Sequence, residues 1–238
     1  MNHNQGKDRE TMLSYIKEEQ ESILHWIMTF HAGFLGTYGI LLHSGNFGNA
    51  MTGNFTSMAA DLVSGHFPHV LLRLGALLLF SSAAMISYLL SRFTSLPIKR
   101  LAVLGDALCI LLVVSLPETL PPILSVYPIY FCSSFQWGAF SSARGYNCAS
   151  VFISNNIKQA SLAWTQYWID RESKLKRKAV LYTFTVLSFF FGALTGSFAA
   201  LRIGVNGAFI GFAPLSISAL LLWFFESNEH DEITVSDI

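Results

Sequence analysis

Two short stretches hold the side chains best suited to binding a small molecule. Residues 44–57 contain no charge, yet carry Asn46, Asn49, Thr52, Asn54 and Thr56, whose amides and hydroxyls supply donors and acceptors together. Residues 152–159 repeat the theme with Ser154, Asn155 and Asn156. In both, a hydroxyl residue, one further residue and an Asn precede an apolar side chain: Thr52-Gly53-Asn54-Phe55 and Ser154-Asn155-Asn156-Ile157. Such groups hold a solute reversibly and do no covalent chemistry, so Asn49, Thr52, Asn54, Ser154, Asn155 and Asn156 are expected to bind substrate. Arg144 joins them if it faces the same space, where it favours an anionic group; pairing with Asp106 or reaching for an interface are its other two readings.

Asp106 stands in Gly105-Asp106-Ala107 inside an apolar run. An acid at the centre of a spanning helix costs about 2.5–3.5 kcal/mol to insert, so it is a candidate for proton coupling, against a hydrogen-bonded packing role. His31 is read as a packing residue before a proton relay. His43, His66 and His69 match no metal-ligand spacing, and no metal is expected. Cys109, Cys132 and Cys148 are read as small packing residues. No Ser/His or Cys/His arrangement, paired carboxylates, zinc-protease motif or phosphate loop occurs, so the chain is expected to be no enzyme and to need no cofactor.

The elements that must position these groups follow from composition. Of 238 residues, 52% are apolar and 13% charged, with a mean hydropathy of +0.45. So few charges cannot cover a water-facing surface; soluble domains carry about a quarter. Fifteen basic and fifteen acidic residues leave no net charge, which argues against nucleic acid as a partner. A helical span needs about 20 apolar residues, and six stretches approach this: 23–42, 70–90, 101–116, 123–140, 179–201 and 208–225. The polar segment 1–22, mixing acids and bases, is no cleavable signal and is expected to turn helical from Thr11; the acidic tail 226–238 is expected to be disordered.

Sorting Lys and Arg by gap places thirteen of the fifteen on one side when both termini are cytoplasmic. The expectation is therefore a single membrane domain over 23–225, in a bacterial inner membrane, with the bilayer as its surroundings and the Lys174, Lys176, Arg177 and Lys178 cluster as a topology anchor. The two polar motifs, their Asn residues 102 positions apart, divide it into repeats of about 23–120 and 121–225. Three spans per repeat force the second to enter from the opposite side. The fold expected is all-α and integral to the membrane, with six transmembrane helices in two inverted three-helix repeats and spans one and four interrupted at the motifs. In transporters so built, the site lies between the interrupted helices near the midplane.

The Gly33-Phe34 pair, Phe47 and the Met51-Thr52-Gly53-Asn54 turn resemble the signature of the YoaK-like family of bacterial multipass membrane proteins, and Gln136-x-Gly138 with Asn156 resembles its second-half motif. The likeness covers about 26–225 and implies an integral membrane protein of unassigned function. The chain departs from it at Gly36, where the family carries an acid, and at Ser154-Asn155, where it has Thr-Gly. A transporter for an unspecified small solute is the expectation; a membrane interaction protein that transports nothing is the alternative. Substrate and oligomeric state are not written in the residues.

Overall fold

The computed structural model describes residues 2–236, almost all helical. The elements are α1 (Asn2–Leu42), α2 (Met51–Val63), α3 (Phe67–Phe93), α4 (Ile98–Ser115), the single turn α5 (Pro122–Ser125), α6 (Tyr127–Ala139), a hairpin of β1 (Ser142–Ala143) and β2 (Tyr146–Asn147), α7 (Ile153–Asp170), α8 (Ser173–Ile203), a 3-10 turn over Gly204–Gly211, and α9 (Phe212–Ser236). Each of the six apolar stretches falls on helix. Among the described residues two helical runs are long and apolar enough to cross a membrane, Phe67–Phe93 and the continuous run Ser173–Phe225, which takes in the last two of those stretches.

Three local expectations change. The helix of α1 begins at Asn2 and not at Thr11, and α9 runs on to Ser236 where disorder was expected. The charged gap after span four contains an 18-residue helix, α7, so the basic cluster 174–178 lies in the first turns of α8 and not in a loop.

Packing follows a paired scheme. α1 lies along α8, and α3 lies along α6, each pair running in the same direction. α2 folds back on α3 as α7 folds back on α8. α9 covers α1, and α4 covers α6. The core between them is built from Met28, Phe34 and Tyr38 of α1, Ile110 of α4, and Ile129 and Tyr130 of α6, all buried. The outer faces stay apolar: Leu71, Leu78 and Met85 of α3 and Phe190, Leu194 and Phe198 of α8 are all exposed.

α1 and α8 approach at backbone distance because glycines lie on both sides. A methyl added at Gly192 would fall on the Phe30 carbonyl, one at Gly196 on that of Phe34, and one at Gly33 on that of Phe189. This is the small-residue packing that lets membrane helices touch. The polar end of the same interface is closed by Arg177, which donates to Glu18 at 2.7 Å.

Candidate functional site

The irregular segment after α1 turns back on itself through two left-handed residues, Ser44 (φ 54°) and Gly45 (φ 78°). Asn49 then donates its side-chain amide to the Ala32 carbonyl at 2.6 Å. Ala32 is ten residues before the end of α1, so at 1.5 Å per residue the chain has returned about 15 Å along the helix it just left. Gly36 leaves room for this return, since any β-carbon there would meet Phe47 and the Asn49 amide. From this depth α2 starts outward again. The segment after α6 has the same character: Arg144 (φ 51°) and Gly145 (φ 71°) form the left-handed pair that a two-residue hairpin turn requires, and Ser150 comes to rest fully buried beside α6.

The two segments are joined through α6. The Asn49 side-chain oxygen accepts from Ser133 at 3.0 Å, and one turn further on Gln136 donates to the Met28 carbonyl at 3.0 Å and to Ser150 at 3.2 Å. Asn49, Ser133, Gln136 and Ser150 are all buried. They form an uncharged bridge linking both broken regions with α1 and α6. Each unmet donor in such surroundings costs about 1–3 kcal/mol, so the bridge holds the two segments in one arrangement until something replaces its bonds.

The residues singled out from sequence divide in two. Asn49, Asn54 and Asn156 are buried, whereas Thr52, Ser154 and Asn155 are exposed. Asn54 is the fourth residue of α2 and donates to the Arg73 carbonyl of α3 at 3.0 Å; Asn156 is the fourth residue of α7 and donates to the Ala149 carbonyl at 2.7 Å. These two Asn residues each tie down their own half of the chain and do not share a binding partner. Ser133 and Ser150 were missed: lone serines in or beside apolar runs carry no sequence signal. Gln136 was legible only as part of a motif.

Arg144 pairs with neither Asp106 nor solvent. Its guanidinium, only 6% exposed, donates to Glu19 of α1 at 2.5 Å and lies over the Trp26 ring. The pair is lopsided, because Glu19 is 33% exposed. Glu19→Ala strands a buried cation, at about 3–5 kcal/mol for a pair broken on the buried side. Arg144→Asn keeps a residue that tolerates the left-handed turn and leaves a carboxylate that water can reach. Thermal unfolding in detergent should therefore rank Glu19→Ala well below Arg144→Asn, and the reverse order would refute the assignment.

Asp106 is buried in α4, with its Oδ2 3.9 Å from Nε2 of the equally buried His31. Among the described residues neither His31 nitrogen has a hydrogen-bond partner, nor has that oxygen or either nitrogen of His25, one to two turns back on α1. Three buried titratable groups with unsatisfied atoms therefore lie along α1 and its neighbour. A crevice of about 430 Å³ opens between α3, α6 and the hairpin, lined by Ser87, Ser91, Ser134, Trp137, Ser141 and Asn147 among others, without a charged residue. At the far end of α3, Arg73 donates to Asp61 at 2.7 Å and to the Asn54 amide oxygen at 3.3 Å, and that guanidinium holds the Asp61 carboxyl below the usual carboxylate range.

Taken together, this is an all-α chain of paired helices with two stretches able to cross a membrane and two irregular segments that fold back into its interior. The chain belongs to the family described as protein of unknown function (DUF1275), which it matches over residues 24–222. No curated protein and no solved structure matches it.

Proposed function

We propose that this chain is a multipass inner-membrane transporter of a small solute, consistent with its resemblance to the YoaK-like proteins, with six crossing helices in two inverted repeats and both termini cytoplasmic. The observation that carries the reading is the buried bridge of Asn49, Ser133, Gln136 and Ser150, where the irregular segments that follow the continuous helices α1 and α6 meet. Irregular backbone at membrane depth is tolerated where it is enclosed by protein or lines a water-filled path, and in transporters the substrate lies where two such breaks converge.

The pairing of elements supports the repeat. α1, α2, α3 and α4 correspond to α6, α7, α8 and α9: the α1 to α8 contact is answered by α6 to α3, the hairpin of α2 and α3 by that of α7 and α8, and α1 to α9 by α6 to α4. The left-handed pairs 44–45 and 144–145 and the buried fourth-residue Asn54 and Asn156 occupy matching places. The exposed apolar faces of α3 and α8 suit lipid, because water-facing monomers rarely leave such areas open.

In this reading the bridge is the closed gate. A solute with hydroxyl or amide groups takes over its hydrogen bonds. Asn49 then contacts solute directly, while Asn54 and Asn156 brace the half-helices, and Thr52, Ser154, Asn155 and Arg144 act outside the bridge. Asp106 with His31 is the proton-carrying pair.

The test uses Ser133→Cys in a chain with Cys109, Cys132 and Cys148 replaced by Ala. Alternating access requires that a membrane-impermeant maleimide reach position 133 from the outside in one condition and from the inside in another, in right-side-out and inverted vesicles. Labelling from one side only under every condition, or no labelling at all, would defeat the transporter reading.

A further inference from the structure

The turn joining α2 to α3 carries a ligand set separate from the bridge. Asp61, in the last turn of α2, directs Oδ1 at two imidazoles: Nδ1 of His66 and Nδ1 of His69 each lie 3.8 Å from it. The three ligand atoms all lie within 4.8 Å of one another. His66 caps the start of α3 and His69 follows three residues later, so the first helical turn brings both rings to one side, and the His66 backbone N–H is fastened to the Asp61 carbonyl at 2.8 Å.

The carboxylate is also held from behind. Arg73 donates Nε to Oδ2 at 2.7 Å, which fixes the plane of the Asp61 carboxyl and leaves Oδ1 to the histidines. Outer-shell partners of this kind orient the carboxylate ligands of metal sites. Asp61 is 16% exposed, whereas His66 and His69 are 64% and 58% exposed, so one ligand is rigid and two can rotate. A zinc ion held at about 2.0–2.1 Å by N and O donors separates tetrahedral ligands by roughly 3.3 Å, and rotation of the two exposed rings closes the difference from separations of 3.8 Å to Asp61 and of up to 4.8 Å within the set.

We infer that Asp61, His66 and His69 form a binding site for one divalent transition-metal ion of the zinc type, open to water at its remaining positions, at the exposed turn between α2 and α3. Two imidazoles and one carboxylate suit Zn²⁺, Co²⁺ or Ni²⁺ and disfavour Mg²⁺ and Ca²⁺, which take oxygen ligands. The ion would join the end of α2 to the start of α3, and thereby brace the helix that Asn54 anchors at its inner end. The sequence spacing alone, Asp-x4-His-x2-His, matches no established template; the fold-back of α2 creates the site.

Tag-free full-length protein in detergent micelles, titrated with Zn²⁺ by calorimetry and with Co²⁺ by absorbance, tests this. One ion per chain is expected, without the intense near-ultraviolet bands of cobalt thiolate. Loss of an outer-shell partner weakens metal sites roughly 10–100-fold, and removing a ligand by His69→Ala or Asp61→Asn should weaken binding by at least ~10-fold, while Mg²⁺ does not compete. Because His69 is exposed, His69→Ala should keep the elution profile and unfolding temperature of the metal-free parent, which separates lost ligation from lost fold. Absence of stoichiometric binding, binding unchanged in both variants, or thiolate bands assigning the ion to the cysteines would overturn the proposal.

Discussion

Gly192→Ala should lower the unfolding temperature sharply, although it adds one methyl to a helix and alanine favours helix over glycine by about 0.8–1.0 kcal/mol. The added carbon would come within 2.7 Å of the Phe30 carbonyl carbon, so α8 must move away from α1 or one helix must bend. A side chain can rotate out of the way of a methyl; a helical carbonyl cannot. Overpacking of this kind costs about 1–3 kcal/mol, occasionally more, and the backbone contact puts Gly192→Ala in the upper part of that range. A fall of roughly 5–10 °C follows from the usual scaling for chains of about this size. Gly105→Ala is the matched control: it lies inside α4, where an added methyl meets nothing within 4 Å among the described residues, and it should be neutral or slightly stabilising. Fluorescence-detected size exclusion after heating reads both. Equal behaviour of the two variants would show that α1 and α8 do not meet by their backbones.

The same glycines explain why much of the fold is legible from sequence. Apolar stretches of spanning length fall on helices because their backbone can be satisfied only internally, and small residues at four-residue spacing mark the faces that touch. α7 escaped because Lys158, Gln159, Thr165 and Gln166 dilute its apolar content, and hydropathy reads such a stretch as a charged gap although its backbone is helical. The early start of α1 escaped for a related reason, since Lys, Glu and Gln form good helix without burying anything.

At the site, helix geometry decided which motif residues turn inward. Thr52 and Asn54, like Ser154 and Asn156, are two apart, hence about 200° apart around a helix of 3.6 residues per turn. A motif read as a loop has no such rule, and both members look equally able to bind. Once α2 begins at Met51 and α7 at Ile153, only one of each pair can face the protein, and it is the Asn in both halves. The bridge itself depends on the chain returning to the depth of Ala32. That return rests on the Asn49 hydrogen bond and on the space above Gly36, neither of which has a sequence pattern of its own.

Asp106→Asn should separate proton chemistry from structure. The buried Asp106 and His31 stand 3.9 Å apart with unsatisfied atoms facing one another, so the pair can exist as an ion pair or as two neutral groups, differing in where one proton sits. Neither state is well solvated. Small rearrangements around α1 and α4 can therefore shift the proton, and the reverse holds by linkage. If the pair were only a structural ion pair, removing one charge would cost about 3–5 kcal/mol and the variant would unfold early. If it carries the coupling proton, Asp106→Asn, nearly isosteric and always neutral, should keep the parent's unfolding temperature within a few degrees and lose its response to pH. The readout is the Ser133→Cys labelling ratio between the two membrane faces. In the parent, this ratio is expected to shift about tenfold between pH 5.5 and 8, corresponding to about 1.4 kcal/mol of differential protonation, and in Asp106→Asn less than about twofold. His31→Gln should reduce the same shift, because it removes the only titratable group seen facing the acid among the described residues other than the neighbouring thiols of Cys109 and Cys132. A variant that folds normally and keeps the full pH shift would remove Asp106 from the coupling role and leave it as a packed acid in α4.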